Sequence, residues 1–147
     1  MIACPIEDLF LLNLKKASHV YEDYFYRHQR YGLSFSIALF YSNDILDEGP
    51  FTNSIRKSDK FLALKENLFC LFFDITSVQE GFKACQNVLA SYEAKHYSQK
   101  LYIAYLNTTS HSNQESMQSS LLSLLNYAIK ENKSNQITDE YNELEHL

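Results

Sequence analysis

Residues 56–74 read RKSDKFLALKENLFCLFFD: two apolar runs, Phe61–Leu64 and Leu68–Phe73, on either side of a polar break, Lys65-Glu66-Asn67. Runs this short and this apolar, bounded by charges, are the pattern of hairpin strands buried in a sheet. Asn67 is a residue type that tolerates the positive φ such turns use. A buried hairpin needs strands beside it and helices over its faces, so the chain is read outward from here.

Upstream, Leu33–Tyr41 (LSFSIALFY) is rich in β-formers and predicts the first strand, a central one. Ser42–Pro50 carries turn residues, and Phe51–Ser58 has room for at most two helical turns before the hairpin. Pro5 suits the first position of a helix. Ile6, Leu9, Phe10, Leu14 and Ala17, then Val20, Tyr21, Tyr24 and Phe25, continue at helical spacing to a stop near Gly32. The Ile6–Leu14 piece is apolar around most of its circumference, more than one packed face can bury. A second helix, another subunit or a partner is expected to cover it, and Ile6, Leu9, Phe10 and Leu12 are the surface assigned to a protein partner or a homodimer.

Downstream, Ser77-Val78-Gln79-Glu80 is a capping-box pattern that starts a helix with the stripe Val78, Phe82, Cys85, Leu89 and Tyr92. Leu101–Leu106 predicts another strand. Ser112-Asn113-Gln114-Glu115 reads as a second capping box, leading into Met117, Leu121, Leu124, Leu125, Ala128 and Ile129. The order helix, strand, loop, hairpin, helix, strand, helix predicts an α/β (α+β) sandwich, an antiparallel-rich sheet with a hairpin, covered by helices. One domain over 1–147 is expected: an N-terminal helical segment over 1–31, a core over 33–137 and a polar tail over 138–147 that frays or adds a loose turn.

Composition narrows the function. A net charge of -5 argues against a nucleic-acid partner, because phosphate binding needs a concentrated basic face. Lys15, Lys16, Arg27 and Arg30 are interleaved with Glu22 and Asp23, which predicts a solvated helix face. Cys4, Cys70 and Cys85 are odd in number and widely spaced, and two of them fall on apolar stripes, the pattern of buried free thiols in a reducing compartment. Met1–Pro5 has no basic leader and Ile6–Leu14 is too short to span a bilayer, so a cytoplasmic location without membrane insertion is expected. The five histidines show no paired metal spacing, no GxSxG elbow exposes a serine, and Gly32, Gly49 and Gly81 stand alone rather than in a phosphate loop.

Several segments together resemble a GGDEF domain, the bacterial nucleotidyl-cyclase fold that makes cyclic di-GMP. Arg30-Tyr31-Gly32 ahead of the first strand is similar to the way that family begins its sheet. Arg56-Lys57-Ser58-Asp59 matches the family's RxxD, and the spacing from Asp59 to the signature hairpin fits as well. Tyr127 and Lys130, then Asn135 and Ile137, resemble the closing YxAK and GRNxV patterns, with Lys133 and Ser134 where Gly and Arg stand in the family. The likeness spans roughly Asn13 to Ile137. It implies a ferredoxin-like, nucleotidyl cyclase-like fold with the helical segment after the first strand shortened, since only Asp44–Ile55 fills that interval.

The signature itself is degenerate. Lys65-Glu66-Asn67-Leu68-Phe69 occupies the GGDEF positions and keeps only the final Phe. The family's two glycines let a nucleotide pack on bare backbone, a space that Lys65 and Glu66 fill. Its metals sit on a signature acid and an Asp at the end of the first strand. Here Asn67, Leu68 and Tyr41-Ser42-Asn43 stand instead, and hard cations with phosphoryl chemistry need converging carboxylates. The resemblance thus implies no enzyme, no catalytic residue, no metal and no cofactor. It implies instead a regulatory module working through protein contacts. One alternative is a receptor in which Arg56 and Asp59 bind cyclic di-GMP, Arg by its planar fork and Asp by accepting from guanine; another is an active diguanylate cyclase, which would form product from GTP with magnesium or manganese.

Overall fold

A computed structural model describes residues 5–110 and 113–140, and for 5–16 and 110 the backbone alone. Helix α1 spans Pro5–Tyr31 and stops where Gly32, at φ +69, returns its N–H to the His28 carbonyl at 2.9 Å. There follow β1 Ser36–Tyr41, the short α2 Glu48–Thr52, the hairpin β2 Lys60–Lys65 and β3 Leu68–Phe73, α3 Val78–Lys95, β4 Tyr102–Asn107, a 3-10 turn, α4 Gln114–Lys130 and β5 Ile137–Thr138.

The sheet order is β2-β3-β1-β4-β5, with β1 central and every pairing antiparallel except β4 with β5. Strands β1, β3 and β4 are buried along their whole length, so both sheet faces are covered. The pleat sends alternate residues to opposite sides. Ile37, Leu39, Cys70, Phe72, Ala104 and Leu106 join residues of α1 and α4 in one core. Ala38, Phe40, Phe69, Leu71, Ile103 and Tyr105 join α2 and α3 in the other. Each large buried side chain contributes roughly 1.5–3 kcal/mol, which is what docks the helices. The result is the expected sandwich, with the segment after β1 reduced to the five residues of α2. No described helix is long and apolar enough to cross a membrane. Cys70 and Cys85 are buried free thiols whose pKa values burial pushes up, and Cys4 lies outside the described residues.

Local details depart from the sequence expectations. Asn67 does not adopt positive φ; among the described residues other than glycine, Ile75, Asn132 and Asn135 do. The strand register shifts between Ala63 and Lys65, which supplies the bend, and the Asn67 side chain donates to the Ser42 carbonyl at 3.0 Å instead. The cap of α4 is Asn113, accepting from the Ser116 N–H at 2.8 Å, one residue later than the Ser112 pattern placed it. Thr138 belongs to β5 rather than to a tail, a two-residue strand too short to leave a periodic signal. The segment 141–147 and the side chains of Ile6, Leu9, Phe10 and Leu12 lie outside what is described.

Two features of the core carry consequences for stability. Tyr21 of α1 is fully buried, edge-on to Phe72 at 5.0 Å, and its hydroxyl finds no hydrogen-bond partner among the described residues. Burial pushes its pKa well up, so the neutral phenol is what the core holds. A buried hydroxyl without a partner costs about 1–3 kcal/mol. Tyr21→Phe is therefore expected to stabilise the protein by about 1 kcal/mol, a rise of roughly 2–4 °C in Tm for a domain of this size. Thermal melts check this, and a lower Tm would mean that the hydroxyl is satisfied after all.

At the far end of the sheet from the hairpin turn, Ser36 is fully buried in a polar knot. Its hydroxyl lies 2.8 Å from Thr76 Oγ1, 3.0 Å from the Tyr105 hydroxyl and 2.8 Å from Asn107 Nδ2. Helix α3 crosses directly above at Gly81, where a Cβ would meet Ser36 Cβ at 2.6 Å and crowd Ser36 Oγ and the Tyr105 hydroxyl more closely still.

Candidate functional site

The hairpin places two candidate regions at its two ends. Residues 65–69 span its turn, beside the C-terminal end of β1, where Tyr41 pairs with Leu68. Arg56 and Asp59 precede β2, next to the end of β3. Strand β2 has six residues, which at about 3.3 Å each separates the two regions by roughly 20 Å.

At the turn, Lys65 and Glu66 are exposed, while Leu68 and Phe69 are fully taken into the core. The Phe69 ring packs edge-on against Phe51 at 5.0 Å and Phe61 at 4.9 Å. The segment after β1 folds onto the turn's backbone. The Ser42 N–H donates to the Asn67 carbonyl at 3.1 Å and the Leu46 N–H to the Glu66 carbonyl at 3.0 Å. Gln99 holds the same segment from the α3 side, donating to Ser42 Oγ and the Ile45 carbonyl at 3.1 Å each while accepting from Tyr92 at 2.7 Å.

The acids near this end do not converge. Asp44 is exposed, its N–H on Ser42 Oγ in a local turn. Asp47 caps α2 by accepting from the Gly49 N–H and contacts His96 Nε2 at 2.8 Å and Lys95 Nζ at 2.9 Å. Hydrogen bonds from His96 and Lys95, with that from Gly49, hold its carboxyl well below the usual carboxylate range. Its charge is therefore committed to tying α2 to the end of α3. Among the described residues no group of three or more His, Cys, Asp or Glu side chains is placed to hold a metal ion.

The other end is densely built. Asp59 is buried, and both its oxygens are occupied. Oδ2 accepts from the Arg56 backbone N–H at 2.9 Å and more distantly from Arg56 Nε. Oδ1 accepts from Arg56 Nη2 at 3.0 Å and from the Asp74 N–H at 2.8 Å. Arg56 Nη2 also donates to the Asp74 carbonyl, and the Arg56 side chain remains 57% exposed. The pair thus closes its own turn: the Asp is consumed internally, while the Arg still presents its guanidinium edge to solvent.

Behind this turn stands Asp74, the residue just after β3. Its side chain is 8% exposed and accepts two hydrogen bonds of 3.1 Å from Arg27 Nη1. Arg27 lies over the Tyr24 ring at 4.4 Å, and the Tyr24 hydroxyl donates to the Ser58 carbonyl at 2.8 Å. So Arg27 is not part of a solvated helix face: it reaches 47 residues along the chain to a partner that no local pattern announces. Two open depressions on α4, of about 300 and 500 Å³, are lined by serine, amide and single acidic side chains and gather no comparable set of charges.

The fold built around these two regions is that of GGDEF domains. The isolated GGDEF domain of YfiN (TpbB) from Pseudomonas aeruginosa superposes with a TM-score of 0.68 at 11% identity, over 87% of this chain and 88% of that one. A microbial GGDEF domain solved with cyclic di-GMP gives 0.66 at 10% identity, over 86% and 92%. The diguanylate cyclase SiaD of P. aeruginosa, solved with its activator SiaC, gives 0.62 at 12% identity over 82% of this chain and 55% of SiaD. No protein-family model matches the sequence, and no curated protein does. At such identities what is shared is the fold.

Proposed function

We propose that this chain is a GGDEF-fold module without cyclase chemistry that regulates other proteins by contact, in the cytoplasm. The observation that carries the reading is the state of the hairpin turn. Long, exposed Lys65 and Glu66 stand at the two glycine positions, buried Leu68 stands where an acid is needed, and the 42–46 segment is hydrogen-bonded onto the turn's backbone. Two-metal phosphoryl transfer needs carboxylates around the cations, while Asp47 is spent on Gly49, His96 and Lys95 and Asp44 is an exposed acid in a local turn. Incubation with GTP and magnesium or manganese is expected to yield no cyclic di-GMP; turnover blocked by Glu66→Ala or Asp44→Ala would defeat the reading. The contact surface we assign to Ile6, Leu9, Phe10 and Leu12 of α1. Leu9→Glu with Leu12→Glu is expected to abolish any dimer seen by light scattering, and a dimer that survives places the interface elsewhere.

A second reading, a cyclic di-GMP receptor, draws support from the exposed guanidinium of Arg56 and from the ligand held by one fold neighbour. With Asp59 occupied by its own turn, Arg56 carries this reading by itself on the phosphates. Calorimetry with cyclic di-GMP on the wild type and Arg56→Ala decides it: heat that disappears with the variant supports the receptor, and no heat with the wild type ends it.

A further inference from the structure

We propose that Arg27 and Asp74 couple the seating of α1 to the exposed guanidinium of Arg56, so that whatever shifts α1 is felt at the 56–59 turn. Helix α1 holds that turn at two points. Arg27 clamps the Asp74 carboxylate with two bonds of 3.1 Å, and the Tyr24 hydroxyl takes the Ser58 carbonyl at 2.8 Å. Asp74 in turn is stitched to the turn through its own backbone. Its N–H donates to Asp59 Oδ1 at 2.8 Å and its carbonyl accepts from Arg56 Nη2. A chain of direct contacts therefore runs from the helix to a side chain that is 57% exposed.

The coupling has two arrangements rather than a continuum. With α1 seated, the nearly buried Asp74 carboxylate is neutralised by Arg27, and Arg56 is free to pair with Asp59. With α1 displaced, Asp74 is left as a buried charge without a counter-ion, an unfavourable state. Arg56, already bonded to the Asp74 carbonyl, is the cation placed to replace Arg27. It swings from Asp59 to Asp74, and Tyr24 releases Ser58 in the same movement. Two sites joined through one bistable pair is what coupling requires physically.

Native-state hydrogen exchange on the full chain tests this with Arg27→Gln and, should that variant fold poorly, with Arg27→Lys and Tyr24→Phe. The Arg56 and Asp74 amides, both donors to Asp59, are expected to exchange about tenfold faster or more after correction for global stability, because the turn that carries Asp59 also loses its Tyr24–Ser58 anchor. The Leu39 and Ala104 amides, in the middle of the sheet, are expected to stay put. Acceleration that is uniform across all four, or absent at Arg56 and Asp74, overturns the proposal. So does strict additivity of Arg27→Gln and Arg56→Gln in a double-mutant cycle, since these two side chains are linked through Asp74 and through the Tyr24–Ser58 bond. The exchange readout is independent of catalysis, so its failure leaves the reading of the hairpin turn standing.

Discussion

Gly81→Ala is expected to cost this protein about 3 kcal/mol or more, although the same change in an exposed helix would gain about 1 kcal/mol. The added methyl group would sit 2.6 Å from Ser36 Cβ and closer still to Ser36 Oγ and the Tyr105 hydroxyl. Neither neighbour can step aside. Ser36 and Tyr105 are both fully buried, and Ser36 is held by Thr76, Tyr105 and Asn107 at once. Tyr105 is further fixed by its hydroxyl on the Val78 carbonyl at 2.6 Å. The helix must therefore lift off the sheet or the knot must break, and overpacking of this kind costs 1–3 kcal/mol before any hydrogen bond is lost. Against a typical total of about 5–15 kcal/mol, a drop of roughly 10 °C in Tm follows. Adding Ser36→Gly opens the space and should recover part of the loss. An unchanged or raised Tm for the single variant would show that α3 stands further from the sheet than described.

Asp59→Ala is expected to cost about 3 kcal/mol, and Arg56→Ala only about 1 kcal/mol. The difference is in what each leaves behind. Removing Asp59 strands two backbone N–H groups, of Arg56 and Asp74, in a place where the side chain they bonded is 3% exposed. The Asp74 N–H, in a buried bond, loses its full solvation, about 1–3 kcal/mol, while the part-buried Arg56 N–H loses less. Removing the Arg56 side chain leaves a buried carboxylate that still accepts both N–H groups, and because the lost guanidinium was itself 57% exposed, water can enter the space it vacates. Denaturant midpoints for the two variants check the order. Equal losses would mean that the guanidinium, not the carboxylate, organises the turn. The same asymmetry makes Arg56→Ala, which keeps the fold, the informative variant for ligand binding.

Much of this fold was legible before any coordinates. The hairpin, the central strand, the capping box at Ser77 and Glu80 (found intact) and the Gly32 stop all follow from rules acting over a few residues. Where the reading slipped, a competing partner was the cause. Asn67 was free to take positive φ but instead spends its amide on Ser42. Asn113 displaces Ser112 as the cap of α4 by reaching the Ser116 N–H. At the candidate sites, residue types at the turn were readable directly, because the sequence itself shows which side chains can carry a charge. Their surroundings were not.

The chain's order of residues alone determined the alternation of buried strands, the positions of the helices and the short segment after β1. Periodicity and capping are local properties, written in neighbours a few residues apart. Only the tertiary structure decided that Asp59 is closed on its own turn, that Arg27 reaches Asp74 across 47 residues, and that Gly81 has no room for a methyl group. Those are contacts between distant segments, set by how the helices settle on the sheet, and nothing in the spacing of residues along the chain encodes which side chains then meet.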